Sequence, residues 1–140
     1  MSVHINHLSV WFATAVYFII GGLWYAPFLF GRKWMALNRF SEADRAANLK
    51  AKGGMGMFLG ISFTGGAISI YALACLLSAA QITTVANATL TGLLVGIAFV
   101  LVPTTVSNLF SMRSFKLTLI DAGYVVLALT ISGAILGAWQ

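Results

Sequence analysis

Acidic side chains are nearly absent. Glu42, Asp44 and Asp121 are the three in a chain of 140 residues, against eight Lys and Arg. Glu42 and Asp44 lie together in a short polar stretch and Asp121 stands alone, so no acid pair is available for general acid–base work. Cysteine occurs once. Cys75 cannot close an internal disulfide, and a thiol within an apolar run stays protonated and inert. No glycine-rich phosphate loop is present. Charged residues of all kinds make up 8% of the chain and hydrophobic ones 60%. Soluble domains carry about a quarter charged residues, and a domain of this size buries only about two-thirds of the surface its unfolded chain exposes. A soluble globular enzyme, a disordered tail and a disulfide scaffold are therefore excluded.

What is present is long uncharged sequence. No Lys, Arg, Asp or Glu occurs from Met1 to Gly31, and sixty residues from Gly53 to Met112 carry no charge. After Asp121 the chain is again uncharged to Gln140. A bilayer core needs about 20 apolar residues per helix. The sequence therefore predicts a single all-α transmembrane domain over residues 1–140, a four-helix bundle with spans near 5–27, 54–80, 86–110 and 117–139. Gln81-Ile82-Thr83-Thr84 breaks the long uncharged run. Strand alternation is missing, which argues against a transmembrane barrel.

The net charge of +5 is confined to two places. Arg32, Lys33, Arg39, Arg45, Lys50 and Lys52 fall in the first connection, Arg113 and Lys116 in the third. Cations that flank membrane spans are poorly placed to follow a nucleic-acid backbone, so no nucleic-acid partner is expected. The positive-inside rule puts both basic connections in the cytoplasm and both termini outside. Trp11 and Trp139 then mark the outer interface, and Trp24, Tyr25 and Trp34 the inner one.

The connection 31–53 is the one soluble-looking segment. Trp34, Leu37 and Phe40 form an apolar edge beside Arg32, Lys33 and Arg39, which suits a short amphipathic helix lying in the interface with its cations toward anionic headgroups. The lipid bilayer is the partner this predicts. Ser41 followed by Asp44 matches a capping box, and Glu42 to Lys52 reads as a second short helix ending at a Gly53-Gly54 hinge.

Small residues punctuate the spans. Gly56/Gly60, Gly92/Gly96 and Gly133/Gly137 each have the GxxxG spacing that lets helix backbones approach closely. Such pairs serve packing within the bundle, and a surplus pair could serve a homo-oligomer. Pro103 interrupts the third span and should kink it, with Thr104, Thr105, Ser107 and Asn108 forming a polar inner end. That end is either a helix winding down at the interface or a wall of a cavity.

Asp121 is the one charged residue inside a predicted span. A carboxylate in hydrocarbon pairs with a partner or serves an ion path. The structural reading gives it Arg113 or Lys116 as an ion-pair partner, or hydrogen bonds from Tyr124 or from the cluster Thr104 to Asn108. The functional reading makes it a titrating or cation-binding group. His4 and His7 share a helical face, but two imidazoles are too few for zinc. No metal, cofactor or catalytic residue is expected.

The block Trp24-Tyr25-Ala26-Pro27-Phe28-Leu29-Phe30-Gly31-Arg32-Lys33-Trp34-Met35 resembles the hallmark of small four-span bacterial membrane proteins grouped as a domain of unknown function. Asn6, Ser41-Glu42 and Ile120-Asp121-Ala122-Gly123-Tyr124 fit the same pattern. The resemblance implies four spans and brings no activity or substrate. Physically, Trp24 and Tyr25 read as headgroup anchors, Pro27 as a helix stop, Gly31 as a sharp turn, and Trp34-Met35 as a return to the interface. The expectation is a bacterial inner-membrane protein without enzymatic activity that acts through packing and interaction. The alternative is a small oligomeric proton- or cation-coupled transporter or channel using Asp121.

Overall fold

The computed structural model describes residues 4–139. Helix α1 spans His7–Trp24, and two short helices follow, α2 (Gly31–Leu37) and α3 (Glu42–Ala51). Helix α4 (Gly54–Ala79) returns across the bundle. The third span is composite: α5 (Val85–Gly96), a π-helical segment (Ile97–Leu101) and α6 (Val102–Phe110). Helix α7 (Phe115–Ala138) closes the chain. Four helical stretches, His7–Trp24, Gly54–Ala79, Val85–Phe110 and Phe115–Ala138, are long and apolar enough to cross a membrane. Among the described residues there is no strand. This is the expected all-α four-span bundle with an amphipathic segment between the first two spans.

Helix ends follow from local chemistry. Asn6 caps α1, its Oδ1 accepting the backbone N–H groups of Leu8 (3.1 Å) and Ser9 (3.3 Å). Its Nδ2 donates to the carbonyl of Trp139 (3.2 Å), so one residue fastens the start of the first span to the end of the last. Ser41 and Asp44 form a reciprocal capping box at α3. Helix α1 ends at Trp24, short of Pro27, as the restricted backbone before a proline requires. Gly53 and Gly54 have φ of 99° and 81°, a left-handed pair that lets α3 break into α4.

Helix α7 is the centre of the bundle. Of its apolar stretch 39% is buried, against 28%, 22% and 17% for the first, second and third spans. It packs most extensively on α5 and then on α1. The α5–α7 contact is nearly backbone to backbone. A Cβ on Gly92 would run into the Leu129 carbonyl, and one on Gly133 into the Ala88 carbonyl. At Gly96 it would lie 2.8 Å from Val126 Cα, and at Gly137 2.7 Å from Ala88 Cβ. In lipid, where water gives no push toward association, such close packing is what holds helices together.

The pair Gly56/Gly60 behaves differently. Among the described residues nothing comes within 4 Å of a Cβ at either position. Further along α4, Phe63 packs on Phe18 (5.6 Å) and Gly66 lies against Tyr17. In its first turns Met55, Phe58 and Ile61 are exposed. Expected to pack within the bundle like the other pairs, Gly56/Gly60 does not.

The break in the third span also differs from a simple proline kink. Pro103 sits in the first turn of α6, where its missing N–H is tolerated. The irregularity lies before it, as a π-helical turn in which the N–H of Val102 reaches back to the Ile97 carbonyl. A proline ring crowds the carbonyl four residues earlier, and a widened turn relieves that contact.

Candidate functional site

Asp121 lies in the second turn of α7, half-buried. Its Oδ1 accepts two hydrogen bonds from neutral donors. The Tyr25 hydroxyl donates at 2.7 Å and the Trp34 indole Nε1 at 2.9 Å. One residue earlier, the Ile120 carbonyl accepts from Trp24 Nε1 (2.8 Å). Three donors of the Trp24–Met35 block therefore converge on two successive residues of α7.

Local structure brings them there. Tyr25 is the C-cap of α1, and the chain then doubles back so that the Phe30 N–H donates to the Trp24 carbonyl (3.1 Å) and the Gly31 N–H to the Ala26 carbonyl (3.1 Å). A Cβ on Gly31 would collide with the carbonyls of Tyr25 and Ala26. Gly31 is required by this close approach, rather than by the unusual backbone angle that a sharp turn suggests. Helix α2 then starts at once and carries Trp34 one turn later over Asp121. Aromatic faces seal the cluster: Phe30 packs on Trp24 (4.5 Å), Tyr25 on Trp34 edge-on (5.9 Å), and Trp34 on Phe40 (6.0 Å). Pro27 is exposed beside the turn and Met35 is half-buried on α2.

These contacts correct two sequence readings. Read as headgroup anchors, Trp24, Tyr25 and Trp34 instead turn their polar atoms onto α7, which offers a carboxylate and a carbonyl at the same level. Asp121 does not pair with Arg113 or Lys116, both of which are exposed beyond the start of the α7 core. It does not bond to Tyr124 or to the Thr104–Asn108 stretch either. The Asn108 amide, buried, donates instead to Thr118 Oγ1 (2.9 Å), tying α6 to α7. The Thr105 hydroxyl donates to the Leu101 carbonyl (2.7 Å), inside the π-helical segment, and Thr104 is half-buried in α6. Pro103, Thr104, Thr105 and Asn108 are thus a helix-end feature separate from Asp121.

Tyr124 joins the site through its ring. It packs edge-on against Tyr25 (5.8 Å) and against the buried Tyr17 (5.4 Å). A ladder of three tyrosines runs from Asp121 into the bundle. Beyond it on the same face of α7 is Ser132, fully buried, whose hydroxyl has no partner among the described residues. At the other end of α1, His7 Nδ1 and the Tyr71 hydroxyl share a hydrogen bond. His4 is exposed. Among the described residues no three His, Cys, Asp or Glu side chains gather as a metal site would require.

The aromatic donors to Asp121 were not recognisable from spacing. One signal pointed to them: an in-span carboxylate needs donors, and the Trp24–Met35 block offers a phenol and two indoles.

The chain belongs to the family described as Protein of unknown function (DUF1761), whose model matches residues 8–137. This agrees with the resemblance carried by the Trp24–Met35 block. No curated protein and no solved structure matches the chain.

Proposed function

We propose that this family member works without catalysis, as a multi-pass protein of a bacterial inner membrane that acts through packing and interaction. Both termini face outward and the two basic connections face the cytoplasm, where Arg32, Lys33 and Arg39 meet anionic headgroups. The observation that carries this reading is the engagement of Asp121. The carboxylate that would have to titrate or bind a cation accepts instead from Tyr25 and Trp34. In that role it is a latch that seats the α1–α2 turn on α7. The close glycine contacts between α5 and α7 fit a rigid scaffold, and the free Gly56/Gly60 stretch of α4 leaves a surface for a second copy or another membrane protein.

The tyrosine ladder favours a second reading, proton-coupled transport with Asp121 at its inner end. A proteoliposome flux measurement separates the two. With the latch, an imposed pH gradient decays at the same rate in empty liposomes, wild type and Asp121→Asn. A wild-type flux that Asp121→Asn abolishes while the protein stays folded would establish the transport reading instead.

A further inference from the structure

The two basic connections meet in space. The end of α2 and the turn between α6 and α7 wall an open groove of about 580 Å³, within the ~300–1,000 Å³ of ordinary small-molecule sites. Arg39 lines it from the first connection and Arg113 from the third. Among the described residues no carboxylate lines it. Of the two acids in the same connection, Asp44 is engaged by Ser41, whose N–H (2.9 Å) and hydroxyl (2.6 Å) both donate to it. Two arginines lining one opening give it a positive field that favours an anion. Ser114, also on the wall, adds a hydroxyl.

The remaining walls are apolar: Phe40, Met112 and Leu117. Met112 is 91% exposed, and Phe110 and Phe115, next to the same turn, are 83% and 61% exposed. A free phosphate would satisfy the arginines and leave these side chains uncovered. A phosphate that carries acyl chains satisfies both.

We propose that this groove is a discrete site for one anionic phospholipid. Its phosphate lies between Arg39 and Arg113 with the Ser114 hydroxyl donating to it, and its chains run along Met112 and Phe115. The inference rests on the reading that the basic connections face anionic headgroups, and narrows that attraction to a site. Arginine suits it, since its planar fork matches phosphate oxygens.

The test uses the purified full chain in mild detergent with phosphatidylglycerol, phosphatidylcholine or inorganic phosphate as probe, and native mass spectrometry as readout. One phosphatidylglycerol should be retained per chain and phosphatidylcholine should not. Arg39→Gln and Arg113→Gln should each weaken retention about tenfold, the scale of one charge-assisted contact. Arg32→Gln removes the same charge outside the groove and should change retention less than about twofold. Arg113→Lys keeps the charge and loses the fork; it should fall between, and it provides a folded comparison if a Gln variant is unstable. Equal losses for Arg32→Gln and Arg113→Gln would overturn the site while leaving general headgroup attraction in place. A wild type that does not prefer phosphatidylglycerol would overturn both. Displacement of the lipid by millimolar phosphate would assign the groove to a free anion and overturn the lipid.

Discussion

Trp34 donates its indole N–H to Asp121 across 2.9 Å, joining a short helix in the first connection to the core helix of the bundle. Tyr25 donates to the same oxygen. A half-buried carboxylate with neutral donors is stabilised by hydrogen bonds alone, so each donor should matter. Trp34→Phe and Tyr25→Phe remove one donor each and should each lower stability by about 1.5–3 kcal/mol, the usual range for bonds to a charged group. With Asp121→Leu already in place, which removes the shared acceptor, either change should cost much less, because the three side chains form one network. Thermal unfolding in detergent across this set of single and double variants measures the coupling.

The glycines should split into two classes. Gly92→Ala and Gly133→Ala drive a methyl into a neighbouring carbonyl and should destabilise by about 1–3 kcal/mol or more, as overpacking does. Gly56→Ala and Gly60→Ala meet no atom of the described residues and should be neutral or stabilising, by up to about 1 kcal/mol from helix propensity. If Gly60→Ala instead shifts the molar mass of the detergent complex toward monomer, that part of α4 binds a second copy.

Asn108 and Thr118 make a second, independent tie at the same end of the bundle. Thr118→Val keeps the shape and leaves the buried Asn108 amide without its acceptor, which should cost about 1–3 kcal/mol. Adding Asn108→Leu should recover part of that loss, since no polar group is then stranded. Unfolding temperatures of the two variants decide the point.

The capping box at α3 carries a pH dependence. Ser41 donates to Asp44 from both its hydroxyl and its backbone, which holds the Asp44 carboxyl below the usual carboxylate range. A depressed native value means that the cap is fully present above the unfolded value and is lost as pH falls through the native one. The first turn of α3 should therefore fray only at pH below about 4. Amide exchange or NMR shifts of residues 42–45 should show this in wild type, and Asp44→Asn should abolish the pH dependence.

Much of the architecture was legible from charge alone. The spacing of Arg32 to Lys52, Arg113, Lys116 and Asp121 along an otherwise uncharged chain leaves room for four apolar helices. Ser41 and Asp44 announced their cap because capping is local, three residues apart. Gly92, Gly96, Gly133 and Gly137 carried a spacing that close packing uses. The same spacing misled at Gly56 and Gly60, since sequence does not reveal which helix faces meet. The π-helical turn before Pro103 was hidden because it depends on how the chain relieves one steric contact. The Asp121 site was half legible. The carboxylate was evident, but its donors lie 96 and 87 residues earlier, and a Trp-Tyr pair at a span end reads first as an interfacial anchor.

The central claim is that Asp121 latches α2 onto the bundle. Hydrogen–deuterium exchange of wild type and Asp121→Leu, which removes the acceptor, in lipid nanodiscs tests it most directly. The account predicts that exchange across Gly31–Leu37 accelerates about tenfold or more in the variant, while α5 and α7 beyond Asp121 keep their protection. Unchanged exchange across Gly31–Leu37 in a folded variant would contradict it.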